Sequence, residues 1–280
     1  MNNNSFRKEI NNYINQAYDE FEESQSIVKE IFGVFHEICK NNNFHYYYGY
    51  GSLLGIVRDD GMIPWDCDID VFVPVNCMPK LIRLLKRYLP PEYYVMSDFI
   101  DKDFYLCESR ICKKNYDSSV YHVDIFYLIG APNDEKKLRG FDKKIKRMYY
   151  LRCLRNQEID KGKTRGEKLI YYIKRIIKLV LHIEPGFIFN KKCRRLMFKY
   201  NFDKSKKCVV WYERAEIIPV DALEPVNVYE HEKFQCFLPN NPDACLRNTY
   251  PNYKKYMPIG TRFDEFYCGY KRFLGSRVDV

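Results

Sequence analysis

The chain has 280 residues, 46% hydrophobic and 30% charged, with no repeat, low-complexity tract or Gly/Ser linker. That composition excludes a disordered or fibrous protein and leaves room for one large domain or two small ones. The formal charge is +9, with Lys and Arg concentrated between Lys136 and Lys207, so the block suits either an anionic partner or a solvated surface.

The N-terminus, Met1 to Gln16, carries no apolar core of the signal-peptide kind. From about Ser5 to Lys40 the spacing predicts a helix, with Val28, Ile31, Phe32, Phe35, Ile38 and Cys39 on one stripe. Asn41, Asn42 and Asn43 tolerate left-handed backbone and end it. His45 to Tyr50 is short, aromatic and strand-like. Gly51 and Ser52 precede a second helix, Leu53 to Arg58, which Ser52 is placed to cap. Asp59-Asp60-Gly61 is a turn. Cys67 to Val73 reads as a strand and Met78 to Leu89 as an amphipathic helix. Tyr93 to Met96, Phe104 to Cys112 and Val120 to Leu128 read as further strands. The chain then turns mostly helical until Cys208, and short segments broken by prolines follow. The order implies an α+β fold, a mixed sheet flanked by helices with a mostly helical C-terminal extension. Residues 1–135 form the expected core with its N-terminal helix. Residues 136–280 form a helical and irregular part packed on it as one continuous domain.

The chemistry concentrates in "DCDID". In an extended strand Asp66, Asp68 and Asp70 share one face, while Cys67, Ile69, Val71 and Val73 share the other. Like charges on one face repel, and burial sharpens the repulsion unless a cation neutralises them. Mg²⁺, or Mn²⁺, answers that need with oxygen ligands and substrate phosphates. Aspartate is a poor strand former, so a solvated edge strand explains the pattern less well. Upstream, Gly51 permits close backbone approach, and a helix start at Ser52 offers free N–H groups to an anion. Downstream, Asp124 stands in the apolar strand "VYHVDIFYL", as either a partner to a buried base or a metal ligand.

The stretch "GSLLGIVRDDGMIPWDCDIDV" resembles the signature of the LicD family, of the nucleotidyltransferase superfamily of DNA polymerase β. "VDIFYL" resembles that family's V-D-I-F-P-L segment, with Tyr127 where Pro is usual. "FLPNNPDACLRNTYPNYKKYMP" resembles its C-terminal motif, with Pro251-Asn252 replacing Gly-Asp, and "IGTRF" loosely matches the basic ending beyond. The resemblance implies a nucleotidyltransferase-like fold and Mg²⁺-dependent transfer of a phospho-alcohol, such as phosphocholine, from a CDP-linked donor. The acceptor it implies is a hydroxyl of a surface glycan precursor, which in such pathways is often lipid-linked. By position, Asp68, Asp70 and Asp124 would hold metal, Asp124 would also help activate the hydroxyl, and Gly51 and Ser52 would bind donor phosphate. Two metals about 4 Å apart could stabilise both the entering and the leaving oxygen.

Other residues keep two readings each. Arg58 reaches the donor diphosphate or pairs with Asp66 or Asp70. Trp65 walls the pocket or packs in the core. Arg110 and Lys113 meet the donor's negative charge, with a solvated edge as the second reading for Lys113. His122 tunes proton transfer beside Asp124 or is a hydrogen-bonded core residue. Along Lys168 to Ile183, Ile173, Ile176 and Val180 fall opposite Lys174, Arg175 and Lys178. Such a helix packs on a core or docks on an anionic membrane. Eleven scattered cysteines without a CxxC pair exclude a zinc-finger hairpin and point to reduced thiols, hence to a cytoplasmic protein, at most at the inner membrane face. No apolar run is long enough to span a bilayer. The competing readings are a nucleotidyltransferase acting on a protein or RNA, and an inactive nucleotide-binding protein. No nucleic-acid-binding motif accompanies the positive charge.

Overall fold

The computed structural model describes residues 8, 10, 17–101, 104, 106–161, 164–212, 216–231 and 234–278. The helical reading that starts at Ser5 therefore lies mostly outside the described residues until 17. The helix α1 runs over Ala17–Asn41 and stops where Asn43 adopts a φ of 47°. Strand β1 (Tyr47–Tyr48), helix α2 (Tyr50–Asp59), strand β2 (Ile69–Pro74) and helix α3 (Met78–Tyr88) follow. Then come β3 (Tyr93–Met96), β4 (Ser109–Lys113) and β5 (His122–Gly130). Asp60, at a φ of 55°, ends α2 in a left-handed cap.

Strands β1, β2, β5, β4 and β3 lie side by side in that order. β2 and β5 run parallel; the other neighbours are antiparallel. A parallel pair needs a long crossover, and α3, β3 and β4 supply it. All nine residues of β5 are buried, which is why its sequence is nearly continuous apolar. Tyr48 stands opposite Val71 and meets Phe32 of α1 edge-on at 5.1 Å. Helix α1 therefore covers the sheet face that carries Val71. Asp70 and Asp124 lean to the other face.

Beyond β5 the chain forms α4 (Glu135–Asn156), α5 (Arg165–Ile183) and α6 (Gly186–Met197). Strands β6 (Lys207–Val210) and β7 (Ile217–Pro219) then return to the sheet, β6 pairing antiparallel with the end of β5. The hairpin β8 (Asn227–His231) and β9 (Phe234–Leu238), the short α7 (Pro242–Leu246) and the long α8 (Ile259–Val278) complete the chain. The fold is the expected mixed sheet flanked by helices. Residues beyond 136 contribute two of its strands as well as helices. The short segments expected near the C-terminus give way to α8. Among the described residues no helix is long and apolar enough to cross a membrane.

The Tyr127 that replaces a proline has a structural use. Its hydroxyl lies 2.7 Å from Ser109 Oγ and donates to Asp98 Oδ1 at 3.0 Å. Asp98 also pairs with Arg152 at 3.4 Å, and both side chains are buried. Arg152 Nη2 donates to the Leu106 carbonyl at 2.7 Å. Removing one partner of such a pair leaves a buried charge uncompensated. Asp98→Ala should therefore lower stability by about 3–5 kcal/mol, read as a drop in the urea midpoint.

Candidate active site

The register of the central strands decides where the acids meet. Asp70 stands opposite Asp124 across the parallel pair, and Arg110 stands opposite Asp124 on the other side. Alternation then sends His122 to the same face as Asp124. Asp68, His122 and Asp124 offer ligand atoms that all lie within 4.8 Å of one another. His122 Nε2 is 3.3 Å from Asp124 Oδ2. Arg110 Nε donates to Asp124 Oδ1 at 2.7 Å, and its Nη2 reaches Glu108 Oε1 at 3.3 Å.

Strand β2 begins at Ile69, two residues later than expected, because Asp66, Cys67 and Asp68 form an irregular approach to it. Strand alternation therefore positions Asp70 alone of the three. Asp66 is held differently. Its Oδ1 accepts the Cys67 N–H at 3.1 Å, and its Oδ2 lies 2.5 Å from where a Cβ on Gly51 would be. Glycine at 51 thus gives room to the Asp66 carboxylate against the first turn of α2. Ser52 does not cap that helix. The helix starts at Tyr50 with Gly49 as its N-cap, and Ser52 is buried inside the first turn. Its Oγ accepts the Asp70 N–H at 2.8 Å, tying helix to acidic strand. Tyr50 itself has a φ of 42°, a strained conformation for a bulky residue that costs on the order of 1–3 kcal/mol.

The electrostatics follow from this crowding. Burial, then the charges of Asp68 and Asp124, push the Asp70 carboxyl well above its ordinary range. Burial and Asp68 do the same to Asp66. Burial and Asp124 push Glu108 up to about 7, against the pull of Arg110. For Asp124, burial works upward but His122 and Arg110 outweigh it, and its carboxyl is held below the usual value. Carboxylates that resist ionising together need an added cation. The donor set fits one: carboxylate oxygens suit Mg²⁺ or Mn²⁺, and an imidazole favours the latter. His122 Nδ1 is buried without a hydrogen-bond partner among the described residues.

Two expected ligand residues are engaged elsewhere. Arg58 pairs with Asp59 at 2.7 Å, not with Asp66 or Asp70, and its guanidinium lies 4.6 Å from the Tyr256 ring and 5.6 Å from Trp65. Trp65 is buried, and the Arg262 guanidinium lies 5.7 Å from its ring. Tyr256 Oη also donates to Asp59 Oδ1 at 2.7 Å. The C-terminal motif thus packs against the loop that delivers Asp66 and Asp68. A cavity of about 720 Å³ between α1, the β8–β9 hairpin and the turn at Asp60 shares Ser52 and Ile69 with this region but none of the acids. Sequence reasoning missed Glu108. Its place two residues before Arg110 was the available signal, since that spacing shares a strand face.

Residues 43–153 match the family model described as LicD/FKTN/FKRP, nucleotidyltransferase domain. A lipopolysaccharide cholinephosphotransferase LicD of Haemophilus influenzae is 28% identical over 135 residues, covering 45% of this chain and 51% of that protein. The chain therefore spans about half the length of the curated relative it matches. No solved structure matches significantly.

The raised carboxyls give a stability test with a definite sign. A group with a raised native pKa stabilises below its unfolded pKa, near 4, and that stabilisation is lost as pH climbs through the native value, about 7 for Glu108. Metal-stripped protein should lose thermal stability from about pH 5 to pH 8. Asp70→Asn should blunt that loss and stabilise the stripped protein by about 1 kcal/mol at pH 8. Differential scanning calorimetry with EDTA measures both.

Proposed function

We propose, from a chain whose residues 43–153 match the LicD family model, that it is a metal-dependent phosphotransferase of the nucleotidyltransferase superfamily. It moves phosphocholine or a related phospho-alcohol from a CDP-linked donor to a hydroxyl of a cell-surface glycan. The observation that carries this reading is the pairing of Asp70 with Asp124 beside Arg110, which gathers the acids of two distant motifs on one face. The name of the Haemophilus relative supports phosphocholine as the group and lipopolysaccharide as the kind of acceptor.

In the reaction the acceptor oxygen attacks the phosphorus that bears the alcohol. The bond from that phosphorus to the CMP oxygen breaks, leaving a phosphodiester on the glycan and free CMP. Asp68, Asp70 and Asp124, with His122, would hold Mg²⁺ or Mn²⁺, which when bound neutralises phosphate charge as a Lewis acid. Arg110 orients the Asp124 carboxylate through its 2.7 Å bond and adds positive charge beside the transferring group. Glu108, pushed up to about 7, is the carboxylate matched to take the hydroxyl proton near neutral pH. Positioning supplies most of the rest, as is general for phosphoryl transfer.

Two measurements test this. CMP release from CDP-choline, CDP-ethanolamine, CDP-ribitol or CDP-glycerol should require a divalent cation and stop on chelation. Asp68→Ala and Asp124→Asn should each lower it by at least on the order of 10³-fold with near-native circular dichroism. Undiminished turnover in either variant would sink the assignment. Glu108→Gln should cut kcat by about 10²–10⁴-fold while KM for the donor holds. A change in KM alone would remove Glu108 from that role.

A further inference from the structure

Helix α5 is packed inside out. The side turned to the protein carries half-buried Tyr171, Lys174, Lys178 and Leu181: Lys178 Nζ donates to the Gln157 carbonyl at 2.6 Å, and Arg155 Nη1 donates to the Leu181 carbonyl. The residues Leu169, Ile173, Ile176, Val180 and Ile183 recur at the three- and four-residue spacing of a single stripe. All five are exposed, at 62%, 49%, 62%, 59% and 80%. No residue of this helix is buried. An amphipathic helix on a core shows the opposite pattern. A continuous apolar stripe in water marks an interaction surface.

Charge identifies the occupant. Residues 136–207 hold 24 of the 46 Lys and Arg but only 6 of the 37 Asp and Glu, a formal +18 on a chain of +9. Lys168 and Arg175, both exposed, border the apolar stripe. Phe187, 58% exposed, extends the apolar surface past Pro185. A second copy would bring the same +18 segment against itself and repel. Nucleic acid would satisfy the charge and leave the stripe wet. An anionic bilayer answers both: acyl chains take the stripe and headgroups take the basic flank. The helix is not apolar enough to cross, since no described helix is. We infer that α5 lies in the plane of an anionic membrane surface and docks the protein there. This stands whether or not the transferase reading does.

The test is co-sedimentation of the full chain with vesicles of phosphatidylcholine alone, or mixed with phosphatidylglycerol in equal parts. Binding should favour the mixed vesicles. The triple variant Ile173→Glu, Ile176→Glu, Val180→Glu should lose it by at least on the order of tenfold. Because those positions are exposed, its melting curve should match the parent's. Lys168→Glu with Arg175→Glu should weaken binding to the mixed vesicles by on the order of fivefold per residue and leave the neutral-vesicle value unchanged. Failure of the parent to sediment with the mixed vesicles, or equal binding by the triple variant, overturns the proposal. So does a parent that is dimeric in solution and becomes monomeric through the triple variant, because the stripe is then covered by its own copy.

Discussion

Two carboxylates set side by side across a parallel strand pair would, by themselves, push the sheet apart. Asp70 and Asp124 occupy that position, and the surrounding structure is organised around making it tolerable. The opposite face of the same strands is covered by α1 and supplies apolar burial that the repulsion does not reach. His122, and then Arg110 with two contacts, hold the Asp124 carboxyl below its usual value and leave Asp70 as the one that resists. Ser52 fixes the Asp70 backbone, and the missing side chain at Gly51 lets Asp66 fold back against α2. The result is a preorganised concentration of negative charge, held by the fold at some cost in stability. Strain at Tyr50 adds to that cost on the same segment. Functional sites commonly carry such local penalties.

The C-terminal region contributes to the site from behind. Tyr256 and Arg262 lie over Trp65 and Arg58, beneath the irregular stretch that carries Asp66 and Asp68. That stretch lacks strand pairing, and Gln25 Nε2 of α1 donates to its Ile63 and Asp66 carbonyls at 3.1 and 2.6 Å. Arg58 and Trp65 pack with Tyr256 and Arg262, whereas Arg110 contacts Asp124 and Glu108 directly.

Much of the architecture was legible. Tyr93 to Met96 and the helix from Met78 were readable because apolar period and turn residues agreed there. Asp124 could be placed on an apolar strand, but its register against Asp70 could not, since pairing across a long crossover leaves no local trace. The start of β2 was misread by two residues because alternation continues through Asp66 to Asp68 although hydrogen bonding does not. Ser52 looked like a cap because Ser before an apolar run usually is one. Here the helix begins three residues earlier, with its serine turned to the neighbouring strand. A salt bridge from Arg58 to Asp66 or Asp70 was one of its two readings, and the carboxylate it pairs with is instead that of its neighbour in sequence, Asp59. The periodicity of α5 was legible, but the choice between its two readings was not, because a helical wheel does not say which side a protein turns inward.

Strand β5 has one further consequence. One of its edges is shared, with β4 along the first part and β6 along Leu128 to Gly130. The second partner arrives from residue 207 onward, well past the segment that matches the family model. Excising residues 43–153 would therefore strip the terminal turn of that edge of its ladder and expose unpaired amide and carbonyl groups beside fully apolar side chains. Such a fragment would tend toward intermolecular strand addition rather than independent folding. The strand ladder thus extends past the segment that matches the family model.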